Sequence, residues 1–329
     1  MEDKKVVREY QFDNMKALLI FLVVLGHILH DFGMDQPLGD ALYKIIFSFH
    51  MPAFLFVSGY FARYRPKALF TRLFPLYLIF QCLHYLMDFI GNSVLEGQLT
   101  TVPLQFFTPR FTLWYLLAVL AYQLLIPVIE VEGTREKVKL LAAAVGFGLL
   151  MGLTPDNDNF MAMTRIVTFL PFFLLGYYER RVRFFERMKK RHGKVQKAAT
   201  GGFLAAILIL IGVFHEQIND KWFLGTKSYG EGGGTWYIRL AIYAVAFLWI
   251  WILRTWIPER RLPFVEKIGK NTLPVYLIHG LIVHSFEFIP IYLILRDNVA
   301  LILLLAVILT VMLSRDPLER MMRRIHISL

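Results

Sequence analysis

Apolar stretches about as long as a bilayer's hydrocarbon is thick recur along the whole of this 329-residue chain. In hydrocarbon no water satisfies a backbone amide, so a crossing segment closes its hydrogen bonds within itself as a helix. About 17–25 apolar residues suffice for one crossing. Ten stretches meet that requirement, at approximately 14–32, 41–61, 68–90, 111–129, 138–154, 163–179, 198–215, 236–256, 271–295 and 298–314. The expected fold class is therefore all-α, a polytopic membrane bundle of about ten helices in a single domain over 1–329. Composition agrees, because apolar residues make up 57% of the chain, whereas a soluble domain carries about 45–50%.

Charge supplies the orientation. Of the 36 Lys and Arg residues, 28 fall in alternate connections, including Lys4, Lys5 and Arg8, the Arg63–Arg72 turn, the Arg180–Lys197 loop and the Arg254–Lys270 loop. Basic loops stay on the cytoplasmic side, so both termini are expected there. The net charge of +11 is thus a topology signal, and no nucleic-acid partner is expected. The lone Cys82 excludes a disulfide framework and a cysteine metal site. The first apolar run lacks a small-residue cleavage site and carries His27, so it reads as a retained helix. The opposite connections differ in kind: residues 91–110 and 216–235 are long, polar and aromatic, as binding loops often are.

Ionisable groups inside apolar stretches are costly and mark pathways or reaction sites. Lys16 and His27 share the first stretch. Eleven residues at about 100° each bring both to one face, about 16 Å apart along the axis. Lys16 either pairs with Asp13 one turn away or snorkels to headgroups. His27 lies deeper, and imidazole suits a general base acting on a hydroxyl. In FHMPAFLFVSGYF, Pro52 tends to kink the second stretch near His50, and Ser58-Gly59 offers a small surface for close helix approach. Arg165, Trp114 and Tyr115 face the outer side in this topology, the arginine suited to an anionic or hydroxyl-rich acceptor. The aromatics form either a membrane belt or a sugar platform. His279 lies near mid-membrane, with His284, Glu287 and Asp88 further out. These histidines are spread over separate helices without carboxylates at metal spacing, so no metal is expected.

Taken in order, several of these segments resemble the acyltransferase-3 family of integral-membrane acyltransferases, in the branch related to fucose 4-O-acetylases. They are DNMKALLIFLVVLGH, FHMPAFLFVSGYF, RLFPLY from Arg72, LWYLLA from Leu113, RIVTFLPFFLLGYY from Arg165 and GKNTLPVYLIHG ending at Gly280. The basic position of the first motif is more often Arg in the family and is Lys16 here, without the guanidinium fork. The resemblance implies a multi-pass cell-membrane O-acyltransferase. It would move an acyl group, most often acetyl, from cytoplasmic acyl-CoA (acetyl-CoA as co-substrate) to a hydroxyl of a surface or exported glycan. His27 would act as base and Lys16 would steady the donor. His50, Ser58, Trp114, Arg165 and His279 would contact substrate. Arg63, Arg65, Lys67 and Arg72 would hold the CoA phosphates. A polar cavity between the first, second, sixth and ninth helices would host the transfer. The alternative is a transporter or flippase for a glycan or small polar solute, against which the chain shows no inverted repeat.

Overall fold

The computed structural model describes residues 9–154, 160–289, 291–296 and 298–325. Thirteen principal helices run through them. They are α1 (Tyr10–Phe32), α2 (Pro37–Phe47), α3 (His50–Phe61), α4 (Phe74–Glu96), α5 (Trp114–Leu124), α6 (Thr134–Leu150) and α7 (Met163–Val182). Then follow α8 (Phe184–Phe214), α9 (Trp236–Trp256), α10 (Pro263–Lys270), α11 (Thr272–Ser285), α12 (Val299–Leu313) and α13 (Asp316–Arg324). No strand occurs among the described residues.

Every one of the ten apolar stretches is helical at its centre, but they differ in length. Among the described residues, six helical runs are long and apolar enough to cross a membrane: Tyr10–Phe32, Pro37–Phe61, Pro66–Glu96, Phe160–Val182, Phe184–Gln217 and Trp236–Trp256. α12 with α13 makes a seventh if the pair, bent by 58°, counts as one. The shorter helices have local causes. α5 stops after 11 residues, and a separate turn containing Pro127 follows it. α11 ends at Ser285 in a single 3-10 turn.

α1 is the axial helix. Phe12, Met15, Leu19, Ile20, Val24, Ile28 and Leu29 are fully excluded from solvent, and α2, α3, α10, α11 and α12 pack around it. α3 and α7 cross backbone to backbone. A Cβ at Gly59 would overlap the Phe173 carbonyl, and one at Gly176 would overlap that of Phe56. Ser58-Gly59 thus does supply the close approach that its small residues suggest.

One end of the bundle collects the basic connections. Gln11 Nε2 donates to the Arg254 and Ile257 carbonyls at 3.0 and 2.8 Å, and Asn14 Nδ2 to those of Pro258 and Arg260 at 2.9 and 3.0 Å. Lys189 meets Glu259 at 2.6 Å, and Arg180 reaches the Ala62 carbonyl at 3.4 Å. At the same end, α10 presses Gly269 against the Asp13 backbone. Lys270 and Arg261 together hold the Glu266 carboxyl down to about 2. Lys4, Lys5 and Arg8 lie outside the described residues. The start of α1 and three separate connections therefore share one pole, the one expected on the cytoplasmic side from the positive-inside rule.

Candidate active site

Near the opposite pole a cavity of about 250 Å³ lies between α1, α2, α3, α5, α7 and α11. His27 and His30 enter from α1, Tyr43 and Phe47 from α2, and His50 from α3. Trp114 comes from the start of α5, Arg165 from the first turn of α7 and Tyr276 from α11. Phe223 and Leu224, in the long connection between α8 and α9, close it on the outer side.

Local sequence explains why these groups converge. Gly26 precedes His27, and a Cβ there would come within 2.9 Å of the Phe47 ring. Its absence lets Phe47 stand edge-on to His27, with ring centroids 6.1 Å apart at 88°. Phe111 and His279 complete the imidazole's surroundings, at 4.9 and 5.6 Å. Gly280 does the same for Thr112, whose hydroxyl would meet a Cβ at 2.8 Å. The Tyr276 hydroxyl donates to the Thr112 carbonyl and fixes that turn against α11.

The hydrogen bonds assign nitrogen roles. His50 Nδ1 lies 2.8 Å from the Ile46 carbonyl, and His279 Nδ1 lies 2.8 Å from that of Val275. A carbonyl only accepts, so each Nδ1 carries the hydrogen and each neutral ring presents Nε2 as an acceptor. His279 Nε2 has no partner. His27 makes no side-chain hydrogen bond among the described residues, and the rings of Phe47, Phe111 and His279 flank it. Arg165 makes no ion pair or side-chain hydrogen bond among them either, and its guanidinium lies over the Trp114 ring at 5.1 Å. Tyr43 Oη, Thr112 Oγ1 and Arg165 Nε are also buried without partners. Buried polar atoms are ordinarily satisfied, and orphans gathered around one cavity mark a place shaped for a polar ligand. An unpaired guanidinium favours an anion or an oxygen that gains negative charge.

Residues 9–315 match the family model described as "Acyltransferase domain". The chain belongs to the acyltransferase-3 family. It is 29% identical over 184 residues to "Nodulation protein NolL" of Sinorhizobium fredii, a match covering 52% of this chain and 48% of that protein. A second similarity is to "Nodulation protein NolL" of Mesorhizobium japonicum, 41% identical over 56 residues, or 16% of this chain and 15% of the other. The chain thus spans about half the length, or less, of these curated relatives. No solved structure matches it.

Placed on this acyltransferase-3 chain, the residues singled out from sequence separate into two groups. His27, His50, Trp114 and Arg165 line the cavity, and His279 backs onto His27. Ser58 lies about 12 Å inward along α3 from His50. It is hydrogen-bonded to the Tyr115 hydroxyl at 2.6 Å and the Phe54 carbonyl at 2.9 Å. Lys16 sits at the basic pole, 2.9 Å from Asp13 and 5.8 Å from the Phe61 ring centre. Arg63, Arg65, Lys67 and Arg72 are exposed at that pole and make no ion pair among the described residues. Tyr43, Thr112 and Phe111 also shape the site, and nothing in the sequence separates them from ordinary core or loop residues. His84 did carry a signal, an imidazole inside the third apolar stretch. Among the described residues, no group of three or more His, Cys, Asp or Glu is arranged to hold a metal ion.

Proposed function

We propose that the cavity around His27 is an acyl-transfer site, and that it joins an acyl group from acetyl-CoA to a hydroxyl of a glycan. One observation supports this above the others: the His27 imidazole, which makes no side-chain hydrogen bond among the described residues, and the Arg165 guanidinium, whose Nε is buried without a partner, line one cavity. His27 takes the proton of the acceptor hydroxyl as its oxygen attacks the thioester carbonyl. The carbonyl oxygen gains negative charge, and Arg165 stabilises it. As the tetrahedral intermediate collapses, the C–S bond breaks and the C–O ester bond remains. The proton held on His27 passes to the departing thiolate, leaving free CoA and a neutral imidazole. The acceptor nitrogens of His50 and His279 suit hydroxyl hydrogens, and the Trp114 ring offers a flat face to a sugar. At the other pole Arg63, Arg65, Lys67 and Arg72 supply positive charge for the CoA phosphates. Lys16, at the same basic pole, steadies the donor.

Transfer of label from radiolabelled acetyl-CoA to candidate glycans by the purified protein tests this reading. General-base catalysis contributes about 10²–10⁴-fold, so His27→Ala should lose at least about a hundredfold in transfer while remaining folded and membrane-inserted. Near-normal ester formation by that variant would remove His27 from the mechanism. Movement of a glycan across the bilayer without ester formation would instead favour a transporter.

A further inference from the structure

Groups that can donate a hydrogen bond into the cavity are scarcer than groups that accept one. His50 and His279 each commit their N–H to a backbone carbonyl and present an acceptor nitrogen. The Arg165 guanidinium is a donor only. Two hydroxyls remain on the lining, those of Tyr43 and Thr112, and both are buried without partners. Thr112 Oγ1 is turned towards α11, where a Cβ on Gly280 would meet it at 2.8 Å. That leaves the Tyr43 phenol as the neutral donor beside Arg165.

The Tyr43 ring is fully excluded from solvent and closely held. Phe47 lies against it one turn along α2, with centroids 4.0 Å apart at 30°, and His30 of α1 lies 5.6 Å away. α2 is pinned on both sides of this position. A Cβ at Gly39 would overlap the Gly33 carbonyl, so the start of α2 sits directly on the end of α1. The adjoining Lys44 pairs with Asp40 at 2.7 Å, and Asp40 also meets His215 at 2.6 Å. On folding, the hydroxyl of Tyr43 therefore lost its water and gained no partner among the described residues. Folded proteins rarely leave that cost unmet.

We propose that Tyr43 is a catalytic residue, whose Oη donates a hydrogen bond to the thioester carbonyl oxygen as that oxygen gains negative charge. It acts alongside Arg165, so the inference deepens the acyl-transfer reading and rests on it. No proton leaves the phenol. The C–O bond forms and the C–S bond breaks, while the acceptor proton travels through His27 to the departing thiolate. A donor held in advance by its own helix needs no reorganisation when charge develops, which is what makes such a group effective.

This role has a signature that a structural hydroxyl would not give. In the substrate-free protein the unpartnered hydroxyl is a cost, and it becomes a benefit only during turnover. Tyr43→Phe removes the hydroxyl and keeps the ring, so the detergent-solubilised full chain should melt no lower with this substitution. Thiol release from acetyl-CoA, with methyl pyranosides or water as the attacking hydroxyl, should fall about 10²–10³-fold in kcat. The KM values for acetyl-CoA and for the pyranoside should change little. A lower melting temperature would show that the hydroxyl holds the fold together, and would overturn the proposal. So would a kcat near that of the unaltered protein, or an effect confined to the KM for the pyranoside. Absence of thiol release from the unaltered protein with every acceptor would instead overturn the acyl-transfer reading, and this inference with it.

Discussion

On the proposed acyl-transfer reading, what matters about His27 is what is missing around it. The rings of Phe47, Phe111 and His279 flank it, and it makes no side-chain hydrogen bond among the described residues. A base without a competing donor is free for a substrate hydroxyl. Arg165 is its counterpart, and the two carry different loads. Removing one preorganised donor to a developing oxyanion costs about 10²–10³ in rate. Arg165→Gln should therefore lower kcat by that amount with a smaller change in acceptor KM, read from initial rates of label transfer. Loss confined to KM would make Arg165 a binding group alone. Lys16 behaves otherwise, because it lies about 16 Å along α1 from His27 and pairs with Asp13 at the basic pole. Lys16→Met is expected to raise the KM for acetyl-CoA and leave that for the acceptor unchanged. An effect on the acceptor alone would detach Lys16 from the donor side. The helical spacing of these two residues was legible in the sequence, and so was their shared face. That one would reach a cavity and the other an ion pair was not, because both outcomes satisfy the same periodicity.

Between elements, two contacts decide whether the cavity exists. The α3–α7 crossing sets the separation of His50 from Arg165, and it depends on Gly59 and Gly176 having no side chain. Overpacking costs about 1–3 kcal/mol in an ordinary core. Here the obstructing atoms are backbone, so Gly59→Val should fall at or above that range, seen as a lower melting temperature and reduced transfer. Melting like the unaltered protein would show that the helices can slide apart freely. The second contact is polar. Lys44 Nζ lies 2.7 Å from Asp40 Oδ2, which also meets His215 Nδ1 at 2.6 Å, and this buried cluster ties α2 to the end of α8. Stripping one partner from a buried pair costs about 3–5 kcal/mol, so Asp40→Ala should destabilise strongly in thermal melts. Little change would mean that Lys44 finds water. The close approach at Ser58-Gly59 could be anticipated from residue size alone. The Asp40–His215 contact spans 175 positions, and no local pattern encodes such a pairing.

Across the whole molecule, charge sorts the two poles. Basic connections assemble at one, while the cavity around His27 lies near the other. α10 locks the basic pole through Glu266, Arg261 and Lys270. A carboxyl held at about 2 in the folded protein and at about 4.3 when unfolded is depressed by folding. Its contribution is fully present above the unfolded value and is lost as pH falls from about 4 towards about 2. The difference in melting temperature between the unaltered protein and Glu266→Gln should accordingly shrink over that interval and stay constant above it. A difference that persisted in acid would assign the clasp to packing.

The sequence by itself determined that this chain is helical, crosses the membrane repeatedly and keeps its basic loops to one side, because hydrocarbon leaves the backbone no other way to satisfy its amides. It also placed His27, His50 and Arg165 among the groups too costly to be idle. Tertiary structure decided which of them meet. Ring contacts and crossing glycines join residues far apart in the chain, and that convergence depends on three-dimensional packing, which no local periodicity records.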